Sequence, residues 1–99
     1  MGYRLSRKAE EDIIDIFLVG EQEFGHHQAE RYHEHLEKCF GFLANNPLAA
    51  TERFEISPPV RIHPVGSHLV IYRIDKNDDI YIIPVRHRHE DWQNTPGES

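Results

Sequence analysis

The sequence predicts an α+β fold: an N-terminal strand, an antiparallel helical hairpin, then a three-strand antiparallel meander, with the helices packed on one face of the sheet. Three observations carry that prediction. Two segments with apolar residues at helical spacing are parted by a short break at Gly25. Beyond Pro47 no helical period returns. Near the C-terminus, two runs rich in Val, Ile and Tyr flank the polar stretch Asp75-Lys76-Asn77-Asp78-Asp79, the pattern of a β-hairpin.

The elements follow in order. Tyr3-Arg4-Leu5 alternates and reads as a short strand. Ser6 is a suitable N-cap, and Glu10, Glu11 and Asp12 lie in or beside the first turn, where the helix dipole favours anions. Ala9, Ile13, Ile16, Phe17 and Phe24 then recur at one- or two-turn spacing, and Gly25 stops the helix. A second helix is expected from about His27 to Ala44, with Ala29, Tyr32, Leu36, Phe40 and Leu43 on one face and Asn46-Pro47 closing it. So short a break makes the two helices an antiparallel pair. The stretch 48–59 ends in Pro58-Pro59 and reads as a loop. Val60 to His63 alternates as a half-buried strand, and Pro64-Val65-Gly66 is expected to turn the chain. Leu69–Ile74 and Ile80–Arg86 make the hairpin. Pro84 cannot donate to a ladder, so it belongs at a bulge or on an unpaired edge. Residues 93–99 are expected to fray.

Size and composition narrow the class. At 99 residues, 1–99 is expected to form a single domain with a modest core. The N-terminus lacks the apolar region of a signal peptide, and no run approaches the ~20 apolar residues that span a bilayer. Cys39 is the single cysteine, so no internal disulfide forms, and a cytoplasmic protein is expected. The net charge of −6 is unevenly spread. Residues 1–59 hold six Lys/Arg against eleven acids, residues 60–89 hold five against three with four histidines besides, and Glu90, Asp91 and Glu98 make the tail acidic. Steering of the whole molecule to a phosphate backbone is therefore weak, which argues against sequence-specific nucleic-acid binding.

Candidate chemistry gathers at the histidines and arginines. His33 and His35 sit two apart on a helix and face different ways, whereas His87 and His89 on a strand share a face. With no third ligand at fitting spacing, and Cys39 on an apolar helix face, neither metal nor cofactor is expected. A metal-independent ribonuclease needs an acid, a base and cations for the developing charge. His87 or His89 would serve as acid or base, Arg61, Arg73, Arg86 or Arg88 as clamp, and Glu55 as a second base. The plainer reading places Arg61 and Arg73 on the solvent face of a sheet. Likewise Tyr72 and Tyr81 are a stacking platform in one reading and a cross-strand core pair in the other, with Trp92 a plug over the sheet edge.

Taken in order, these motifs resemble the ParE branch of the RelE/ParE toxin superfamily of bacterial toxin–antitoxin operons. The likeness rests on Tyr3-Arg4-Leu5-Ser6 with Ala9 and Asp12, Ile16-Phe17, Phe24-Gly25 with Gln28-Ala29 and Tyr32, and Leu43-Ala44-Asn45-Asn46-Pro47. Gly66-Ser67-His68-Leu69-Val70-Ile71-Tyr72-Arg73 is its most specific piece, and Ile83 to Asp91 completes it. Pro84 stands where the family usually has Arg, Arg86 where it has Leu, and Ala49-Ala50 where it has Gly-Arg. The resemblance implies a toxin without catalytic residues that binds DNA gyrase and is neutralised by a ParD-like antitoxin in a hetero-oligomer. The alternatives are a RelE-type, ribosome-dependent mRNA endoribonuclease using His87, His89, Arg61 and Arg73, and an inactive toxin-fold partner. Arg61, Arg73, Arg86, His87, Arg88, His89 and Trp92 are the residues expected to meet target or antitoxin.

Overall fold

The computed structural model describes residues 2–88, so the expectations for His89, Trp92 and the tail 93–99 lie outside the described residues. The elements run β1 (Tyr3–Leu5), α1 (Arg7–Phe24), α2 (His26–Asn45), β2 (Glu52–Arg53), β3 (Val60–Val65), β4 (His68–Ile74) and β5 (Ile80–His87). The α+β order predicted from sequence is the one observed. No helix among the described residues is long and apolar enough to cross a membrane.

Ser6 caps α1 as its residue type predicts, its Oγ accepting the Ala9 N–H at 2.9 Å. Gly25 closes α1 with its N–H donated to Glu21 O and opens α2 with its carbonyl accepting the Ala29 N–H. Its φ of 90° is one that side chains with a Cβ rarely adopt, so a single glycine makes the whole joint. The helices then run back along each other, approaching closely where Gly20 faces Ala29.

The sheet order is β1-β5-β4-β3-β2. β3, β4 and β5 form the expected antiparallel meander, while β1 pairs parallel to β5, so the sheet is mixed. Two expectations need correction. The stretch 48–59 contains β2, two residues paired antiparallel to Val60 and Arg61. β3 also continues through Pro64 and Val65, and the turn is made by Gly66-Ser67. Gly66 has φ 55°, and a Cβ there would lie 2.7 Å from the Tyr32 ring, so the turn is tight against α2 and needs glycine. Because Pro64 has no N–H, its pairing with Leu69 is of the kind without mutual hydrogen bonds, which turns the Ile62 and Pro64 backbones toward the outer edge of β3.

β5 is the strand around which the rest is arranged. Its first three residues have β1 on one side and β4 on the other. Past Ile82 the β4 register shifts: Val70 faces Val85 and Tyr72 faces Ile82, so Ile83 and Pro84 together oppose Ile71. Pro84 thus sits in a β-bulge, one of the two places its chemistry allows. The core lies on the helix side of the sheet, where Leu36, Phe40 and Leu43 meet Val70, Tyr72, Ile80, Ile82 and Val85. Burial at this scale is worth roughly 1.5–3 kcal/mol for each large apolar side chain. Phe24, expected on the buried face of α1, is instead 69% exposed. Phe17 is half-buried, edge-on to His26 and His33.

Candidate functional site

Side-chain alternation along the paired strands gives the sheet two faces of different chemistry. On the helix side, Tyr72 is fully buried and its hydroxyl donates to Pro47 O at 2.7 Å. Arg61, directly across from Tyr72, shares that side and reaches Ala50 O at 2.5 Å, with Glu52 at 3.8 Å. It ties the α2–β3 connection to the sheet, which corrects its placement on the solvent face. Tyr81 pairs with Arg73 across β4 and with Arg4 across β1, on the opposite face from Tyr72. The two tyrosines are therefore not a cross-strand pair. The guanidiniums of Arg4 and Arg73 lie 4.6 and 5.4 Å from the Tyr81 ring centre, both within cation–π range.

A cleft of about 570 Å³ opens on the helix side between the hairpin and the Gly66-Ser67 turn. Ile16, Val19, Gly20, Phe24 and Ala29 supply its apolar walls, and Glu23, Gln28, Arg31, His35, His68 and His87 its polar rim. Tyr32 fixes one end. Its hydroxyl lies 2.6 Å from His68 Nδ1 and 3.2 Å from Val65 O, and it accepts the Ser67 N–H at 3.1 Å. Burial raises the Tyr32 pKa, so its phenol stays protonated at neutral pH. His87 pairs with His68 across β5 and β4, the rings edge-on at 5.3 Å. Arg88 is held beside them, its N–H donated to Ser67 O and its guanidinium to Gly66 O at 3.2 Å.

Asp12 is a structural position that its residue type alone did not reveal. It reads as a first-turn acid, yet it is buried and its Oδ2 accepts the Val85 N–H at 3.0 Å, while Lys8 Nζ meets Oδ1 at 2.8 Å. Ser6 Oγ, besides capping α1, donates to Ile83 O. Together these two side chains complete the part of β5 that β1 does not reach. The sequence clue was Asp12 six residues after a cap at Ser6, with a proline in a distant strand, and only the fold joins them.

The residues expected to meet a target or antitoxin are divided. His87 lines the cleft, and Arg88 is held beside it at the Gly66-Ser67 turn. Arg73 is exposed on the outer face, and the register past the bulge places Arg86, paired with Leu69, on that same face. Arg61 is engaged beneath the α2–β3 connection, and His89 and Trp92 lie outside the described residues. The expected nuclease set is dispersed likewise, since Arg61 and Arg73 do not share a face with each other. Glu55 is bound by Arg53, which holds its carboxyl below the usual range. Cys39 is half-buried against the core, and burial raises its thiol pKa. Among the described residues, no group of three His, Cys, Asp or Glu side chains is placed to hold a metal ion.

The fold and its cleft have relatives. The family model for the ParE toxin of the type II toxin–antitoxin system parDE matches residues 3–92. Toxin ParE1 of Caulobacter vibrioides (strain ATCC 19089 / CIP 103742 / CB 15) is 34% identical over 86 residues, which is 87% of this chain and 88% of that protein. A solved structure of the chromosomal ParDE TA system from P. aeruginosa shares the fold at a TM-score of 0.74 and 20% identity, over 88% of this chain and 95% of that one. These findings define a small α+β toxin of a type II toxin–antitoxin system. More narrowly, the chain belongs to the ParE toxin family.

Proposed function

We propose that this toxin works by binding, with DNA gyrase as its target, and that a ParD-like antitoxin silences it by seating an amphipathic, acidic segment in the cleft. The observation that carries the antitoxin part is the cleft's chemistry. It has apolar walls and a polar rim in which Arg31, His35, His68 and His87 outnumber the single acid Glu23, on a chain whose net charge is −6. A segment that folds as it binds would place apolar anchors against Val19 and Phe24, and its carboxylates at the rim. His87 and Arg88 belong to this contact. Arg73 and Arg86 are the proposed contact for the target, on the opposite face.

Family membership and the dispersal of Arg61, Arg73 and His87 both favour binding over RNA cleavage. Co-purification with the product of the adjoining reading frame tests the first part. Val19→Glu, a change at a half-exposed position, should weaken that complex at least about tenfold. An unchanged affinity places the antitoxin elsewhere. For the target, the purified toxin should inhibit gyrase supercoiling while leaving mRNA intact, and His87→Ala should still arrest growth. Rapid mRNA loss that disappears in His87→Ala would establish the ribonuclease instead.

A further inference from the structure

The side of the helical hairpin turned away from the sheet carries an apolar strip with an acidic border. Ile14 and Leu18 stand one turn apart on α1, 58% and 50% exposed. Residues at that spacing lie over one another on a single face. α1 buries Ala9, Asp12 and Ile13 on its other side, so these two occupy the face that an ordinary surface helix gives to polar groups. Phe17, half-buried, is edge-on to the rings of His26 and His33 and carries the strip across to α2.

Acids surround the strip. Glu10 and Glu11 precede Ile14 by about one turn, and Glu21 follows Leu18 by about the same. On α2, His26 lies between Glu21 and Glu30, and His33 meets Glu37, which gathers these three acids along the Phe17 edge. Arg7 is the cation at the start of this face, while Lys8 turns to Asp12. Among the described residues, no Lys or Arg forms an ion pair with Glu10, Glu11 or Asp15. Glu11 and Asp15, like Glu30 and Glu34, are like charges four residues apart, an arrangement that lowers helix stability. α1 also ends without a basic residue in its last turn, where the helix dipole favours one. The hairpin thus holds negative charge that its own fold does not neutralise, and a cation from outside relieves it.

We propose that this face is a docking site for a cationic amphipathic helix of a partner protein. A helix laid along the furrow between α1 and α2 packs its apolar ridge against Ile14, Leu18 and the Phe17 edge, as a third helix packs on an antiparallel pair. Lys or Arg on its flanks then reach Glu10, Glu21, Glu30 and Glu37. A second copy of this chain does not fit, because two such faces bring acid against acid. The acidic segment proposed for the cleft is repelled here for the same reason. This surface therefore serves a different partner and is independent of the function proposed above.

The probe is a labelled peptide of Leu and Lys in amphipathic helical order, about 15 residues or four turns long. Titrated with the full chain, it should bind at least about tenfold more tightly than a peptide of the same composition in scrambled order. Ile14→Ser/Leu18→Ser, at exposed positions, and separately Glu10→Lys/Glu37→Lys should each weaken binding at least about tenfold, with the far-UV circular dichroism unchanged. Val19→Glu, in the cleft, should not weaken it. Equal binding of the scrambled peptide overturns the proposal, since it reduces the contact to net charge. So does an affinity unchanged in either double variant, or one lost in Val19→Glu, which moves the peptide to the cleft. Self-association of the wild-type chain that Ile14→Ser/Leu18→Ser abolishes also overturns it, by assigning the face to a second copy.

Discussion

The two halves of β5 are held by different means. Ile80 to Ile82 lie between β1 and β4, and their backbone groups are met by backbone groups on both sides. Ile83 to His87, beyond the bulge, have β4 on one side and α1 on the other, where Ser6 and Asp12 supply the missing partners. In the first half, any residue of the right shape preserves the hydrogen bonds. In the second, a particular oxygen on a particular helix is required. A strand that outruns its neighbour needs chemistry where elsewhere it needs only packing.

Mutation can break that contrast or sharpen it. Ile82→Ala, in the first half and fully buried, should cost about 3 kcal/mol in urea denaturation through loss of burial and the cavity left behind. Asp12→Ala should cost about 2 kcal/mol by leaving the Val85 N–H without its acceptor, and amide exchange at Val85 should accelerate far more than at Ile82. Equal acceleration at both would show that the halves open together and would remove the distinction. Ser6→Ala, which deletes both a helix cap and the Ile83 contact, should cost about 1 kcal/mol. Tyr32→Phe should cost about the same, with loss of protection concentrated at Ser67.

A control outside both halves is the smallest effect. His26, at the start of α2, is raised above 6.5 chiefly by its hydrogen bond to Glu21 and then by the charge of Glu30. A raised folded-state pKa gives a stabilisation fully present below 6.5 and lost as pH rises through the raised value. A pH series of melting temperatures should show a slight decline across that window, and His26→Ala should flatten it. The ring is largely exposed to solvent, so the change is expected to be minor.

What could be read from the sequence divides along the same line. Periodicity located both helices because their buried faces recur along one segment, and Ser6, Gly25 and Asn46-Pro47 marked ends through local backbone chemistry. Pro84, lacking an N–H, announced a bulge or an unpaired edge, and the register shift between β4 and β5 is the bulge. β2 was invisible because two residues carry no period. The parallel placement of β1 was also hidden, since nothing local to Tyr3–Leu5 specifies a partner some 75 residues away. For the candidate site, Arg73, Arg86, His87 and Arg88 were found by type, but their division between faces was not, and Arg31 and His68 of the cleft rim were not among them. Alternation assigns a face only when the register is known, and the bulge at Ile83-Pro84 inverts it for Arg86 and His87. The apolar walls of the cleft escaped notice because Val19 and Phe24 look like ordinary helix residues until the fold leaves them exposed.

Pro64 has a consequence for the free toxin. A folded protein has to avoid sticking to copies of itself, and exposed strand edges are the usual route to that failure. Along β3 beyond the reach of β2, the outward backbone offers the Ile62 N–H and then, at the next outward position, a proline with no hydrogen to give. A second strand laid there would find one donor and no continuation. This edge is thereby poorly suited to growing into a stack of sheets, and the protection lies in a single ring whose nitrogen is already fully bonded.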